Sequence, residues 1–187
     1  MVMKNEVILV TGGTGFVGSH VVEMLLSNHI HVLSSYQVLN PHSYFFHKQL
    51  HLDTGLIPCD IGDFAHVYDL ITRYKVNYIL HLAAQADVGV AYLNPHQTLR
   101  TNILGTLNIL EATRMAPTVK GVIIASSDKA YGKSKTIYNE TDPLLGDHPY
   151  EVSKSATDQI ATMYWKTYGV PVVVTRFGNI YGEGDHN

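Results

Sequence analysis

The chain has 187 residues, 45% hydrophobic and 16% charged, enough for one domain with a full core, or for one domain and part of another. A formal charge of -3 with no long run of Lys or Arg argues against a nucleic-acid groove, which needs clustered cations to displace counterions. No stretch approaches the roughly eighteen apolar residues of a membrane span, Val7 to Val10 is too short and too close to Glu6 and Gly12-Gly13 for a signal peptide, and the single cysteine, Cys59, has no partner for an internal disulfide. The expectation is a soluble cytoplasmic protein without nucleic-acid or membrane partners.

Glu6 to Thr11 is an apolar, β-branched run that stops at glycines, as a strand buried on both faces of a parallel sheet does. Phe16 to Ser27 follows as a helix, with Phe16, Val17, Val21, Met24 and Leu25 at helical spacing. The turn between them, Thr11-Gly-Gly-Thr-Gly-Phe-Val-Gly18, satisfies both GxxGxxG (Gly12, Gly15, Gly18) and GxGxxG (Gly13, Gly15, Gly18). The first glycine permits a tight turn, Gly15 lets backbone approach a pyrophosphate, and Gly18 lets helix pack on strand. Free N–H groups where the helix starts, at Phe16 and Val17, would hold phosphates at the positive end of the helix dipole. In this strand-turn-helix setting the pattern points to dinucleotide binding.

Ile30 to Ser34 is the second predicted strand, whose end normally supplies an acid for the adenosine ribose. Here stand Ser34, Ser35, Tyr36 and Gln37, with no Asp or Glu, and there is no Arg or Lys between Lys4 and Lys48 to clasp a 2'-phosphate. NAD is favoured over NADP, but weakly. Asn40 to Asp53 reads as a polar-aromatic loop with His42, His47 and His51. His47 and His51 would share a face if helical, as zinc ligands can, but no HExxH glutamate lies between them and no Cys is near, so solvated loop histidines and no metal site are expected.

Leu56 to Cys59 is a third strand, ending in Asp60-Ile61, and Phe64 to Tyr74 is a helix. Asn77 to Ala84 is a fourth strand whose small-residue end, Leu82-Ala83-Ala84, either leaves room for a flat cofactor or packs tightly under a loop. After Pro95 a long helix is predicted to about Met115, facing inward with Leu99, Ile103, Leu107, Leu110 and Ala112. Asn102 lies beside that stripe and wants a hydrogen-bond partner. Gly121 to Ala125 is a fifth strand that delivers Ser126 and Ser127 to the sheet's carboxyl edge. Pro149 opens a helix to about Tyr168, with Val152, Ala156, Ile160, Met163 and Tyr164 inward and Gly169-Val-Pro171 as its stop. Val172 to Thr175 is a sixth strand, and a polar run leads to Asn187. The fold class is α/β, a doubly wound parallel sheet with helices on both faces.

Tyr150 and Lys154 are four apart, so they share one helix face. A phenol beside an ammonium is a plausible proton-transfer pair, although an isolated YxxxK fits an ordinary amphipathic helix equally well. The glycine turn, Leu82-Ala-Ala84, the Ser pair and YxxxK occur here in one order. Together with Asp60-Ile61, Asn102-Ile-Leu-Gly-Thr106 and Arg176-Phe-Gly-Asn179-Ile-Tyr-Gly182, they resemble the extended short-chain dehydrogenase/reductases. The nearest branch is the nucleotide-sugar epimerases and dehydratases, and Ser-Asp-Lys at 127–129 resembles the CDP-glucose 4,6-dehydratases especially.

The resemblance implies a Rossmann domain over 1–182, with 183–187 beginning a substrate lobe. It implies NAD held by Gly12, Gly15, Phe16, Val17, Gly18, Asp60, Ile61, Leu82, Ala83, Ala84, Asn102, Tyr150 and Lys154. Tyr150 would take the sugar 4-hydroxyl proton, Lys154 would hold the nicotinamide ribose and favour the phenolate, and Ser127 would hydrogen-bond the reacting oxygen. Asn179 would reach the substrate phosphates. Asp128 would give a proton to the departing C6 hydroxyl, with Lys129 a candidate to take the C5 proton, and an acid at 128 separates a 4,6-dehydratase from a 4-epimerase. It also implies a homodimer through helices 96–115 and 149–168. A dinucleotide-binding module without catalysis is the remaining alternative.

Overall fold

The computed structural model of the chain describes residues 6–133 and 137–185. Six strands, β1 (Val7–Thr11), β2 (His31–Tyr36), β3 (Gly55–Pro58), β4 (Tyr78–His81), β5 (Gly121–Ser127) and β6 (Val172–Phe177), form one parallel sheet in the order β3-β2-β1-β4-β5-β6. Seven α-helices among the described residues accompany them: α1 (Phe16–Ser27), α2 (Tyr44–His47), α3 (Phe64–Arg73), α4 (Val88–Leu93), α5 (Pro95–Leu99), α6 (Gly105–Met115) and α7 (Pro149–Tyr168). This is the Rossmann order, with its topological switch between β1 and β4.

A parallel sheet must be covered on both faces, and the strand period of two divides the core accordingly. Ile8 and Val10 of β1 go to one face with Val22 and Leu25 of α1 and Phe45 of α2. Leu9 goes to the other with Ile71, Ile79, Ile109 and Ile124. Each such side chain, fully buried, contributes about 1.5–3 kcal/mol before chain entropy is charged against it.

Strand ends depart from the sequence-based expectation. β2 runs on to Tyr36, paired with Pro58, and β5 runs on to Ser127, paired with Phe177. Ladder pairing with a neighbour carries these polar residues in extended form where local propensity offers no reason for it. β4 stops earlier, at His81, so Leu82, Ala83 and Ala84 lie just past the sheet edge.

Both long helices bury some of the residues predicted inward, Leu110, Ala112 and Tyr164, but the face they turn to the core is more polar than the predicted apolar stripe. The run from Pro95 to Met115 is helical throughout, but Arg100–Leu104 is a π-helical turn, and the buried residues are Thr98, Asn102, Gly105, Thr106, Asn108, Ile109, Leu110, Ala112 and Thr113. Leu99, Ile103 and Leu107 are only half-buried. On α7, Val152 and Met163 are exposed, whereas Ser153, Lys154, Thr157, Asp158, Ala161 and Tyr164 are buried. An apolar stripe misjudges these helices because their inner faces are satisfied by hydrogen bonds to one another and to β5 and β6.

The stretch expected as a loop at 40–53 holds α2 and a 3₁₀ turn at Leu50–Leu52, with Tyr44, Phe45 and Leu50 buried. His47 and His51 fall in different elements, separated by Gln49 in left-handed conformation, so they do not share a helix face. Among the described residues no group of three or more His, Cys, Asp or Glu is placed to hold a metal ion, and no helix is long and apolar enough to cross a membrane. Residues 1–5, within the expected first domain, and 186–187, the end of the stretch expected to open a further lobe, lie outside the described residues. Of that stretch, Glu183 and Gly184 pack back on the nucleotide-binding unit: the Glu183 carbonyl meets His20 Nε2 at 2.8 Å, its carboxylate pairs with Lys48, and Gly184 lies against Tyr44.

Candidate active site

The glycine turn is shaped by contacts that no side chain could make. Gly12 has φ +67°, in the left-handed region, and a Cβ there would stand 2.9 Å from Ala83 Cα. A Cβ on Gly18 would run into the Gly12 carbonyl oxygen. Their absence lets α1 begin directly against β1 and the 82–84 loop. The start of α1 has no side-chain cap and no acid in its first turn. Its twelve-residue dipole and first N–H groups therefore face the cleft without a protein partner of opposite charge, the environment a phosphate needs.

A cleft of about 380 Å³ opens over this turn, with Gly12, Gly15, Phe16, Val17 and Gly18 on one side, Leu82, Ala83 and Ala84 on the other, and Ser35, Tyr36, Gln37, Asp60 and Ile61 at one end. Through Phe16, Val17, Leu82 and Ala84 it continues into a second hollow that reaches Ser127, Lys129, Tyr150, Lys154 and Asn179. The two hollows share these residues and make one trough along the sheet's carboxyl edge, from the glycine turn to Ser127, Tyr150 and Lys154 at the candidate reactive end. Asp60 accepts from the Gly62 N–H and faces Arg100 at 3.5 Å, and the Ile61 carbonyl accepts from Asn108.

At the reactive end, β5 sets Ser127 and the start of α7 sets Tyr150. Ser127 caps a 3₁₀ turn, Asp128–Tyr131, by accepting from the Lys129 N–H at 3.2 Å, and its hydroxyl reaches Asp128 Oδ1 at 3.1 Å and the Tyr150 phenol. The first turn of α7 is held by a reciprocal cap: His148 Nδ1 accepts from the Tyr150 N–H, and the buried Glu151 accepts from the His148 and Asp147 N–H groups. Tyr150 is thereby fixed one turn before Lys154, whose Nζ lies 5.9 Å from the phenol ring centre and donates to the Ala125 carbonyl at 2.7 Å.

Burial pushes the Lys154 ammonium down to about 8. It also pushes the Tyr150 phenol up, against the lowering effect of the Ser127 hydrogen bond and with a further rise from the Asp128 charge. The sequence reading has Lys154 favouring the phenolate. Within the protein alone burial is the largest influence on the phenol, and the Lys154 ammonium is turned to the Ala125 carbonyl. Asp128 and Lys129 lie 3.8 Å apart, both partly exposed, and border a neighbouring hollow together with Tyr150 and His148.

Asn102 is brought to a different task from the one expected. It is 2% exposed; its Oδ1 accepts from the Gln85 N–H at 2.8 Å, and its Nδ2 donates to the Gln85 carbonyl at 3.0 Å and to Ser153 Oγ at 2.9 Å. It does not line the trough but holds the loop that does, and ties that loop to α7.

His81 is the residue the sequence reading passed over. It is buried at the end of β4, with Nδ1 2.8 Å from Thr11 Oγ1 and Nε2 3.2 Å from Thr106 Oγ1, and burial drives its pKa down to about 3. Thr106 spends its one proton on the Asn102 carbonyl, so His81 Nε2–H is the donor to Thr106 and Nδ1 accepts from Thr11. Thr11 Oγ1 in turn accepts from the Ala83 N–H. A neutral histidine of defined tautomer thus links the glycine turn, the 82–84 loop and the π-helical turn. A lone His closing the apolar run Tyr78-Ile-Leu was the one available signal. Arg176 was also missed: it makes two hydrogen bonds to the buried Asp158, at 2.7 and 3.0 Å, and a third to the Tyr131 hydroxyl, pinning the 3₁₀ turn that carries Asp128.

A Rossmann sheet whose trough joins a glycine turn to Ser127, Tyr150 and Lys154 defines the extended short-chain dehydrogenase/reductases of the nucleotide-sugar branch. Comparison with known proteins makes the assignment specific. The family profile for GDP-mannose 4,6 dehydratase matches residues 9–186, and the chain belongs to that family. It is 29% identical to a CDP-glucose 4,6-dehydratase of Salmonella typhimurium over 192 residues, covering 95% of this chain and 53% of the relative. Among solved structures, a dTDP-glucose 4,6-dehydratase of Streptomyces venezuelae with NAD bound superposes with a TM-score of 0.85 at 29% identity, over 96% of this chain and 58% of that one. A UDP-glucose 4-epimerase of Thermotoga maritima with UDP-glucose gives 0.84 at 31%, over 95% and 57%. The chain spans about half the length of the curated relatives it matches.

Proposed function

We propose that this chain is the cofactor-binding part of an NAD-dependent nucleotide-sugar 4,6-dehydratase. The observation that carries the reading is the meeting of Ser127, Tyr150 and Lys154 at the far end of a trough whose near end is a glycine turn, with Asp128 hydrogen-bonded to Ser127 from the adjoining hollow that also touches Tyr150. Bound in that trough, NAD⁺ supplies a hydride acceptor for C4 and a positive charge beside the phenol. Tyr150 takes the proton of the 4-hydroxyl, and the Ser127 hydroxyl donates to the oxygen that changes charge. Lys154 offsets negative charge on the phenolate by its position one turn away and holds the ribose side of the cleft. Once C4 is a ketone the C5 proton is acidic; in this reading the Asp128–Lys129 pair acts with its proton on the carboxyl, so that Lys129 as the free amine takes the C5 proton and Asp128 gives its own to the leaving C6 hydroxyl, with the hydride held on the cofactor returning to C6. Asn179, exposed after β6 and bordering the same hollow as Tyr150 and Lys154, would reach the substrate phosphates.

The substrate in this reading is a nucleoside diphosphate hexose with a free C6 hydroxyl. The division at 182–183 into a cofactor domain and the start of a sugar-binding lobe belongs to the same proposal and is supported by relatives of about twice the length. A homodimer through 96–115 and α7 belongs to it as well, supported by Val152, Met163 and Trp165, which are exposed on α7. A cytoplasmic location suits the free, buried Cys59.

The second reading, a 4-epimerase, is favoured by the Thermotoga structure and needs no acid at 128. Incubating the full-length protein that contains this chain with NAD and CDP-, dTDP- or UDP-glucose, and following products by NMR, separates them; the chain by itself is expected to bind NAD with little or no turnover. The expected product is the 4-keto-6-deoxy sugar, and Asp128→Asn is expected to reduce water loss at least about a hundredfold. A C4 epimer formed without loss of water refutes the dehydratase reading.

A further inference from the structure

Adenosine-ribose recognition in Rossmann proteins usually rests on a carboxylate at the end of β2, which accepts from the ribose hydroxyl and repels a 2'-phosphate. In this chain β2 ends at Tyr36, in register with Pro58 of β3, and the next residue is Gln37. Both line the trough near Ser35. Among the described residues that line this part of the trough, Asp60 alone carries a charge, and Arg100 stands 3.5 Å from its carboxylate. No other cation is supplied by the first two strands, since Glu23 is the sole charged residue between Val7 and His47 apart from histidines, and it accepts from the Tyr44 hydroxyl on the outer side of α1.

We infer that this protein discriminates little between NAD and its 2'-phosphorylated form, and that Tyr36 and Gln37 are the residues that set this tolerance. The inference rests on the proposed cofactor site and deepens it. A carboxylate can only accept a hydrogen bond, whereas the Gln37 amide both accepts and donates, so it serves a ribose hydroxyl and a phosphate oxygen alike. With no carboxylate at the strand end, the charge repulsion that excludes a 2'-phosphate is missing. With no arginine there, the attraction that would select for it is missing too.

The test is direct binding to the whole chain by calorimetry, with NAD⁺ and NADP⁺ as the probes, independent of any turnover. The expected result is two dissociation constants within about tenfold of each other, a difference of about 1.4 kcal/mol or less. Tyr36→Asp is expected to weaken NADP⁺ at least about tenfold more than NAD⁺. Gln37→Arg, at an exposed position that does not challenge folding, is expected to shift the ratio of the two constants at least about tenfold in favour of NADP⁺. Wild-type protein that binds NAD⁺ but binds NADP⁺ a hundredfold more weakly overturns the tolerance while leaving the cofactor site standing. Equal constants in the wild type that neither substitution shifts overturn the roles of Tyr36 and Gln37. Binding of neither dinucleotide overturns the cofactor site and the tolerance together.

Discussion

Replacing Lys154 by Met removes a charge that the fold holds at a loss. The ammonium is 6% exposed and its pKa falls from 10.5 to about 8 on burial. At about 1.4 kcal/mol per pKa unit, the charged form destabilises the folded state by about 3 kcal/mol at neutral pH. The Met variant does not regain all of this, because the Ala125 carbonyl loses its donor, which costs about 1–2 kcal/mol. A net gain of about 1–2 kcal/mol at pH 7 is expected from urea unfolding. The sign of the pH dependence is the sharper readout. Between about pH 8 and 10.5 the unfolded chain binds the proton that folded Lys154 has released, so wild-type stability rises with pH across that window relative to Lys154→Met. From pH 7 to 9.5 the difference between the two proteins should shift by about 2 kcal/mol in favour of the wild type. Parallel stability curves over that range would refute a buried, depressed lysine, whatever the effect on activity.

Asn102→Ala strands the Gln85 N–H and carbonyl that Asn102 now satisfies, and is expected to cost about 2–4 kcal/mol in chemical denaturation, with weakened dinucleotide binding because the loop beside Ala84 loosens. Arg176→Met leaves the 2%-exposed Asp158 carboxylate unpaired, and a loss of about 3–5 kcal/mol is expected by the same measurement. Leu or Met at both 158 and 176 should recover much of that loss, since the penalty comes from the uncompensated charge rather than from the missing attraction.

Much of the site is legible in the order and spacing of the residues. Gly12, Gly15 and Gly18 follow a strand and open a helix, and Tyr150 and Lys154 keep helical spacing behind Pro149; these patterns are local, so a linear reading captures them. Ser127, by contrast, is expected just past β5 and is in fact its last residue, because its backbone pairs with Phe177, fifty positions along the chain. Asn102, a polar residue beside an apolar stripe, is expected to need a partner and makes three side-chain hydrogen bonds, two to the Gln85 backbone and one to Ser153 on another helix.

The amino-acid sequence determined the order of strands, the phosphate-binding turn and the phenol–ammonium pair, because each depends on periodicity or on backbone freedom within a few residues. Tertiary structure decided which faces of the two long helices turn inward. It also set the tautomer of His81, the pairing of Arg176 with Asp158 and the extension of β2 to Tyr36. Those features depend on partners brought together from distant parts of the chain, and hydrophobic patterning does not encode where a buried polar group will find its hydrogen bond.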